Sequence, residues 1–486
     1  MGKDTQRRVL PRKWPGWIVV GSASMAVFAI VVFLVVRNYG ETLVPPASIA
    51  QGPATTSAQA SDIFLRVLIA LTAVIVLGRV LGRLFAYLGQ PPVIGGVVAG
   101  ILLGPSLIGA KLSSLVLPSS AAPYLGIVAQ LGVVLYMFLV GLELNPALLR
   151  SRTRAIVGTS QAGILAPFVL GTGLALYVYP RLSSSDVSFT SFALFMGVAM
   201  SITAFPVLAR ILGDFRLTRT KLGVVALSCA AVDDVTAWCL LAFVVGVTKA
   251  QAGNALIVVA GAVVYIAFMF LVGRPGLRWI ARRWAGDQHS PTLAAVIFVA
   301  LLLSAITAQA IGIHAIFGAF ILGAIIPHDS AIARSLTHQL KNLVTILLLP
   351  AFFAFTGMRT RIDLLSQPSL WLIFGALLLA ATLGKFGGVF AAARVNGLSW
   401  HSSAMLGTLM NTRGLMELIV LNVGLDLGVI SRELYALMVL VALVTTVLTS
   451  PLLRWLKGRT PPLEQAEMLS ELDSESHKGR HESIAP

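Results

Sequence analysis

Charge is scarce in this chain. Only 12% of its 486 residues are Asp, Glu, Lys or Arg, against 57% that are hydrophobic, and the mean hydropathy is +0.87. A soluble globular domain has no use for so much apolar surface, which leaves the polytopic membrane proteins. Acids are the rarer sign, 20 against 36 Lys and Arg, for a formal net charge of +16. That excess does not point to nucleic acid, because the basic residues cluster in short loops between apolar stretches. Cysteine is nearly absent. Cys229 and Cys239 lie on different faces of one apolar stretch, too few and wrongly placed for a disulfide framework or a metal site. They read as small apolar packing residues. No GxxxxGK[ST] phosphate loop is present, which argues against an ATP-driven pump, and no cofactor is expected.

What is present is a series of apolar runs about long enough to cross a ~30 Å hydrocarbon core. Polar breaks between them predict fourteen helices, near 17–36, 62–85, 92–109, 122–143, 155–179, 190–212, 221–247, 253–273, 291–309, 312–327, 341–357, 369–393, 400–424 and 433–453. With the N-terminus inside, inner segments hold 23 Lys and Arg and outer segments seven, as the positive-inside rule requires. The first run follows a basic stretch and precedes small residues at Ser48-Ile49-Ala50, like a signal peptide. Its apolar core exceeds the usual ~7–15 residues, so it reads as a retained extra helix ahead of thirteen others. Residues 1–61 are thus a basic N-terminus, that helix and an outer linker; 457–486 form a short polar cytoplasmic tail, disordered or a surface helix.

The segment IGGVVAGILLGP (94–105) is similar to IFGAFILGAIIP (316–327), and the predicted topology runs them in opposite directions. That reading divides the chain into two inverted repeats, 62–247 and 290–456, joined by a linker helix within 248–289. Inverted repeats are a signature of alternating-access transporters. Two spans in matching places carry helix-breaking chemistry: Ser201-Ile202-Thr203-Ala204-Phe205-Pro206 and Asn411-Thr412-Arg413-Gly414. Proline removes a backbone donor and glycine tolerates unwinding. Irregular backbone at membrane depth is allowed only where protein or a cavity surrounds it, so paired breaks point to a midplane site.

The apolar run 221–247 contains Asp233 and Asp234 side by side. One carboxylate at the bilayer centre costs roughly 2.5–3.5 kcal/mol on insertion scales, and a buried acid there is by default an ion or proton site. Lys385, alone in LLLAATLGKFGGVF, needs a carboxylate partner. Successive helical residues point ~100° apart, so one aspartate is expected to pair with Lys385 while the other faces a cavity and binds either a proton or a cation. One site with two mutually exclusive ligands implies exchange. Arg413 and Glu417, four residues apart, are expected to pair on the broken helix. Glu143 and His314 read as helix-end residues, and Arg66 and Arg79 as snorkelling side chains. An intramembrane aspartyl protease also needs two acids, but facing each other across a scissile bond, which neighbours on one helix do not supply.

The motifs AVDDVTAW, SITAFPVLARIL, FLVGLEL, LGKFGG and NTRGLMELIVLNVG occur in this order. Together the chain resembles the monovalent cation/proton antiporter superfamily from about 62 to 456, in particular the branch of yeast and plant potassium/proton exchangers and their bacterial relatives. The resemblance implies an all-α polytopic membrane protein with thirteen antiporter-type helices in two inverted repeats and crossed broken helices, plus the extra N-terminal one. It implies a homodimer in the lipid bilayer of a bacterial inner membrane, with a static dimerisation domain and a mobile core of about 155–247 and 369–453. Asp234 matches the principal carboxylate for the transported cation (Na⁺ or K⁺) and for H⁺. Asp233 matches the neighbour that pairs with Lys385. Ser201, Thr203, Asn411, Thr412 and Arg413 fall on the broken helices. Plant and yeast members often have Asn-Asp at the aspartate pair. Export of an organic cation or metabolite on the same scaffold, or cation and pH sensing without transport, are the alternatives.

Overall fold

The computed structural model describes residues 16–41, 43, 60–107, 109–116, 118, 121–143, 154–184, 187–218, 220–249, 255–283, 291–327 and 330–459. Twenty α-helices account for most of them. In chain order these are α1 (Gly16–Gly40), α2 (Ala60–Tyr87), α3 (Pro92–Leu103), α4 (Gly109–Val116), α5 (Ala122–Glu143), α6 (Arg154–Leu182) and α7 (Phe189–Ser201). There follow α8 (Phe205–Asp214), α9 (Lys221–Lys249), α10 (Ala255–Phe268), α11 (Arg274–Arg283), α12 (Pro291–Ile311) and α13 (Ala315–Ile325). The last are α14 (Ala331–Leu343), α15 (Leu349–Arg359), α16 (Pro368–Thr382), α17 (Gly388–Val395), α18 (Trp400–Met410), α19 (Leu415–Asp426) and α20 (Arg432–Gly458). Single π turns join α10 to α11, α14 to α15 and α16 to α17. The protein is all-α, and ten described helices, some counted across a break or π turn, are long and apolar enough to cross a membrane.

Local chemistry places the ends. Ser188, Ser330, Ser399 and Ser431 cap α7, α14, α18 and α20, each accepting a hydrogen bond from the backbone three residues on. Pro92 and Pro368 stand at the first positions of α3 and α16, where a missing N–H costs nothing. Several elements differ from the hydropathy reading. The expected span 341–357 begins ten residues earlier, because α14 is amphipathic and its polar face hides it from a hydropathy window. Its Lys341 pairs with Glu143 at the end of α5, 3.0 Å away. The span expected over 253–273 runs on to Arg283, and the one over 92–109 stops at Leu103, before Gly104-Pro105. Most of the outer linker and nearly all of the tail lie outside the described residues.

The helices pack in two groups. In one, α3 lies between α2 and α15, and α5 between α13 and α15, with α12 against α13. In the other, α6 carries α7, α9, α16 and α17, α18 packs on α17 and α20, α8 packs on α9, and α19 on α20. The N-terminal α1 lies along α6. The two Gly-rich segments explain themselves at crossings within the first group. A Cβ on Gly357 would fall on the Gly100 carbonyl, and one on Gly100 on the Phe353 oxygen. At the second crossing a Cβ on Gly141 would meet the Phe320 oxygen, and one on Gly323 the Phe138 oxygen. Without a hydrophobic drive between helices in lipid, such close backbone approach is a main source of association. The obstacle is backbone, which no rotamer change relieves. Gly357→Ala is therefore expected to destabilise the protein by roughly 1–3 kcal/mol, seen as a lower melting temperature in detergent, whereas Gly375→Ala, with open space around it, leaves the melting temperature unchanged.

Candidate ion-binding site

The α7–α8 connection is unwound over Ile202, Thr203 and Ala204, and the α18–α19 connection over 411–414. The two breaks touch. The Ala204 N–H donates to the Thr412 carbonyl at 3.0 Å, and the Thr203 hydroxyl oxygen lies 3.2 Å from the Met410 carbonyl. Gly414 has an extended backbone that any residue could adopt. It is needed for space, since a Cβ there would come within 2.8 Å of Val207. Thr446 closes the remaining exposed polarity of the second break, accepting from the Arg413 N–H at 3.2 Å and donating to the Arg413 carbonyl at 2.6 Å. Unwound backbone this deep persists because its groups find partners inside the protein.

Each broken helix leaves carbonyls at its C-terminal end, where cations are favoured. Lys385 donates to the Ser201 carbonyl at 2.7 Å. Arg413 reaches the Ala199 and Met200 carbonyls at 3.0 and 2.7 Å, and its other contact is the Glu417 carboxylate at 2.7 Å. Arg413, Glu417 and Lys385 are all 0% exposed. Ser201 thus serves the site through its backbone, while its single hydroxyl proton is shared between the Ile164 and Gly197 carbonyls. Thr412 points elsewhere, toward Thr449.

Asp233 and Asp234 divide sharply. Asp233 is 0% exposed and its two oxygens are fully engaged: Oδ1 accepts from Ser160 at 2.6 Å, and Oδ2 from Thr203 at 3.0 Å and Lys385 at 2.8 Å. Asp234 is nearly as buried, yet its Oδ2 has no hydrogen-bond partner. The amide of Phe205, at the start of α8, lies against it, and Tyr136 of α5 is within electrostatic reach. Asn411, in the second break, also has a buried side-chain oxygen without a partner. The helix N-terminus favours the negative charge of Asp234, and its bare carboxylate oxygen and the Asn411 amide oxygen are ligands suited to a small monovalent cation or, at the carboxylate, a proton.

A cavity of about 580 Å³ opens between the two helix groups on one face, lined among others by Arg79, Arg83, Tyr136, Pro206, Arg210 and Met416. It reaches the first break at Ala204. On the opposite face the groups are clasped together. Arg359 of α15 pairs with Asp426 of α19 and donates to Asn422 at 3.0 Å, and Asn422 in turn donates to Thr356 at 3.0 Å.

Ser160, the π turn under Lys385 and the Arg359 clasp were not read from the sequence. A lone serine on an apolar helix has no pattern to mark it. Gly384, Gly387 and Gly388 around Lys385 are the one local hint of irregular helix, and π turns often sit at functional positions.

The family model for the transmembrane sodium/hydrogen exchanger matches residues 68–456. The Na⁺/H⁺ antiporter NhaS4 of the cyanobacterium Synechocystis is 44% identical over 398 residues, covering 81% of this chain and 97% of that protein. The cation/H⁺ antiporter 20 of Arabidopsis thaliana is 38% identical over 79% of this chain. The K⁺/H⁺ antiporter 1 of Saccharomyces cerevisiae is 32% identical over 76%. The match spans 48% and 45% of those two longer relatives. Among solved structures, the sodium proton antiporter MjNhaP1 of Methanocaldococcus jannaschii shares the fold, with a TM-score of 0.61 over 81% of this chain and 97% of that one, at 15% identity. The chain belongs to the sodium/hydrogen exchanger family of transmembrane proteins.

Proposed function

We propose that this protein exchanges Na⁺ or K⁺ for protons across a membrane, with cation and proton competing for Asp234. One observation carries the reading: of two adjacent buried acids, Asp233 is consumed by Lys385, Ser160 and Thr203, and Asp234 keeps an oxygen unused. Glu417 also keeps one oxygen bare, but its charge is cancelled by Arg413. Asp234 alone among the buried acids of the described residues has neither an ion-pair partner nor a second hydrogen-bonded oxygen, which leaves it for a ligand. Thr203 and Lys385 hold Asp233 in place; the Asn411 side-chain oxygen, which has no partner, is the further oxygen donor for the transported ion. Arg413 and Lys385 hold the end of α7 by its carbonyls, so that the crossed breaks move as one body.

In this reading residues 62–247 and 290–456 are inverted repeats, and the broken helices with their neighbours form the moving core. The cavity on the Arg79, Arg83 and Arg210 side is the cytoplasmic entrance, since positive residues face inward. Arg359, Asn422 and Asp426 close the outer side until the core tilts. The protein works as a homodimer in a cell membrane with its termini inside. No covalent change is made to any substrate.

Purified protein in liposomes holding an acid interior and a pH-sensitive dye tests this. Added NaCl or KCl should collapse the proton gradient with saturating dependence on cation, and choline chloride should not. Currents on a solid-supported membrane at several pH values then report whether charge moves with each cycle. A gradient indifferent to both alkali ions, or collapsed equally by choline, would overturn the proposal.

A further inference from the structure

Beside the mouth of the ion cavity lies a second depression of about 480 Å³, lined by Gly89, Gln90, Arg210, Arg216, Arg454 and Lys457 together with Asp214. Four cations face it against one acid, and that acid is already paired with Arg210 at 3.1 Å. The depression is built from both helix groups. Gly89 and Gln90 belong to the α2–α3 connection, Arg210 and Arg216 to α8 and its exit, and Arg454 and Lys457 to the last turns of α20. Contacts already cross it: Gln90 donates to the Val447 carbonyl at 3.1 Å, and the Arg454 guanidinium lies so close to Gly89 that a Cβ there would stand 2.6 Å from it. Arg210 lines both this depression and the ion cavity.

The chain itself supplies a matching partner. α20 ends at Gly458, one residue beyond Lys457, so the segment that follows leaves from the rim. Between Thr460 and Ser476 there is no Lys or Arg, while Glu464, Glu467, Glu471, Asp473 and Glu475 are acidic. Glu464, Glu467, Glu471 and Glu475 recur every three or four residues, the spacing that lines one face of a helix. Five residues separate Gly458 from Glu464, six Cα–Cα steps with a reach of up to ~20 Å when extended, ample for a return to the depression.

We propose that residues 464–475 dock in this depression as an acidic strap. A strap seated there ties α2–α3 to α8 and α20 and opposes the relative movement that exchange requires, so the tail slows transport. The effect on rate rests on the exchange reading above; the contact does not.

Two readouts keep the failures apart. The first is a disulfide cross-link between Arg216→Cys and Glu467→Cys in a background with Cys229 and Cys239 replaced by Ser. It should form in the intact chain and be lost when Glu464, Glu471 and Glu475 are also changed to Gln. The second is the exchange rate in liposomes. Changing Glu464, Glu467, Glu471 and Glu475 together to Gln should speed exchange roughly three- to tenfold, the sum of several exposed ion pairs. Removing residues 461–486 should do the same, and high salt should reduce the difference. Arg454→Glu should speed the intact chain and leave the truncated one unchanged. No cross-link, with rates within twofold of the parent after truncation, overturns the strap. So does an Arg454→Glu effect that survives truncation and appears only in liposomes containing phosphatidylglycerol, which would assign the depression to a lipid headgroup. If the parent shows no exchange but the cross-link forms, the functional reading fails and the docking stands.

Discussion

Asp234→Asn is expected to reduce alkali-cation-driven proton movement to the level of empty liposomes. Asparagine keeps the shape and one oxygen but removes the charge. A unit charge and a cation ~4 Å apart attract by about 4 kcal/mol at an effective dielectric of ~20, which corresponds to roughly a thousandfold in affinity. Asparagine also has no proton to exchange at this position, so both halves of the cycle fail together. The substituted protein should remain well folded, because the lost oxygen has no partner in the structure. A monodisperse Asp234→Asn protein that still collapses a proton gradient with Na⁺ or K⁺ would remove the basis of the assignment.

The neighbouring acid should behave in the opposite way. Asp233→Ala leaves Lys385 buried at 0% exposure without its counter-charge, and unpairing a buried ion pair typically costs ~3–5 kcal/mol. The expected result is a large fall in melting temperature and poor recovery from the membrane. Replacing both partners, Asp233→Leu with Lys385→Met, should regain most of that stability, since apolar isosteres of a buried pair are often neutral or better. Recovery will be incomplete because Ser160 and Thr203 lose their acceptor. If the double substitution is no more stable than Asp233→Ala, the Lys385 contact contributes nothing to the fold.

These contrasting roles show how far the residues alone could be read. Two acids in an apolar run, a lone lysine in another and breaks at matching positions are violations of membrane chemistry, and such violations are visible in one dimension. The pairing of Arg413 with Glu417 was legible for the same reason, being local along one helix. Which aspartate meets Lys385 was not legible from spacing, because it depends on how α9 is rotated against α17 and the π turn before it. Resemblance to the family supplied that expectation. Ser160 was invisible because it is one hydroxyl on a helix some seventy residues away, and serine on such helices commonly bonds its own backbone. Arg359 stands at the end of an apolar run, with nothing local in the sequence to show that it spans two helix groups. Asn411 stands in the break as expected, but its orphan oxygen depends on the packing around it. The polar face of α14 lowers the hydropathy of its segment for the reason that makes it useful, since it carries Lys341 to Glu143.

Among the described residues five charged side chains are buried: Asp233, Asp234, Lys385, Arg413 and Glu417. Two acid–base couples cancel, at 2.8 and 2.7 Å, and Asp234 is left over. With Asp234 ionised, this interior therefore has a surplus of one electron charge; one bound proton or monovalent cation would make it neutral. Carrying an uncancelled charge through a low-dielectric passage costs several kcal/mol. Under the proposed exchange, a crossing with Asp234 ionised and unoccupied would be disfavoured for this reason, which would suppress slippage without any dedicated lock.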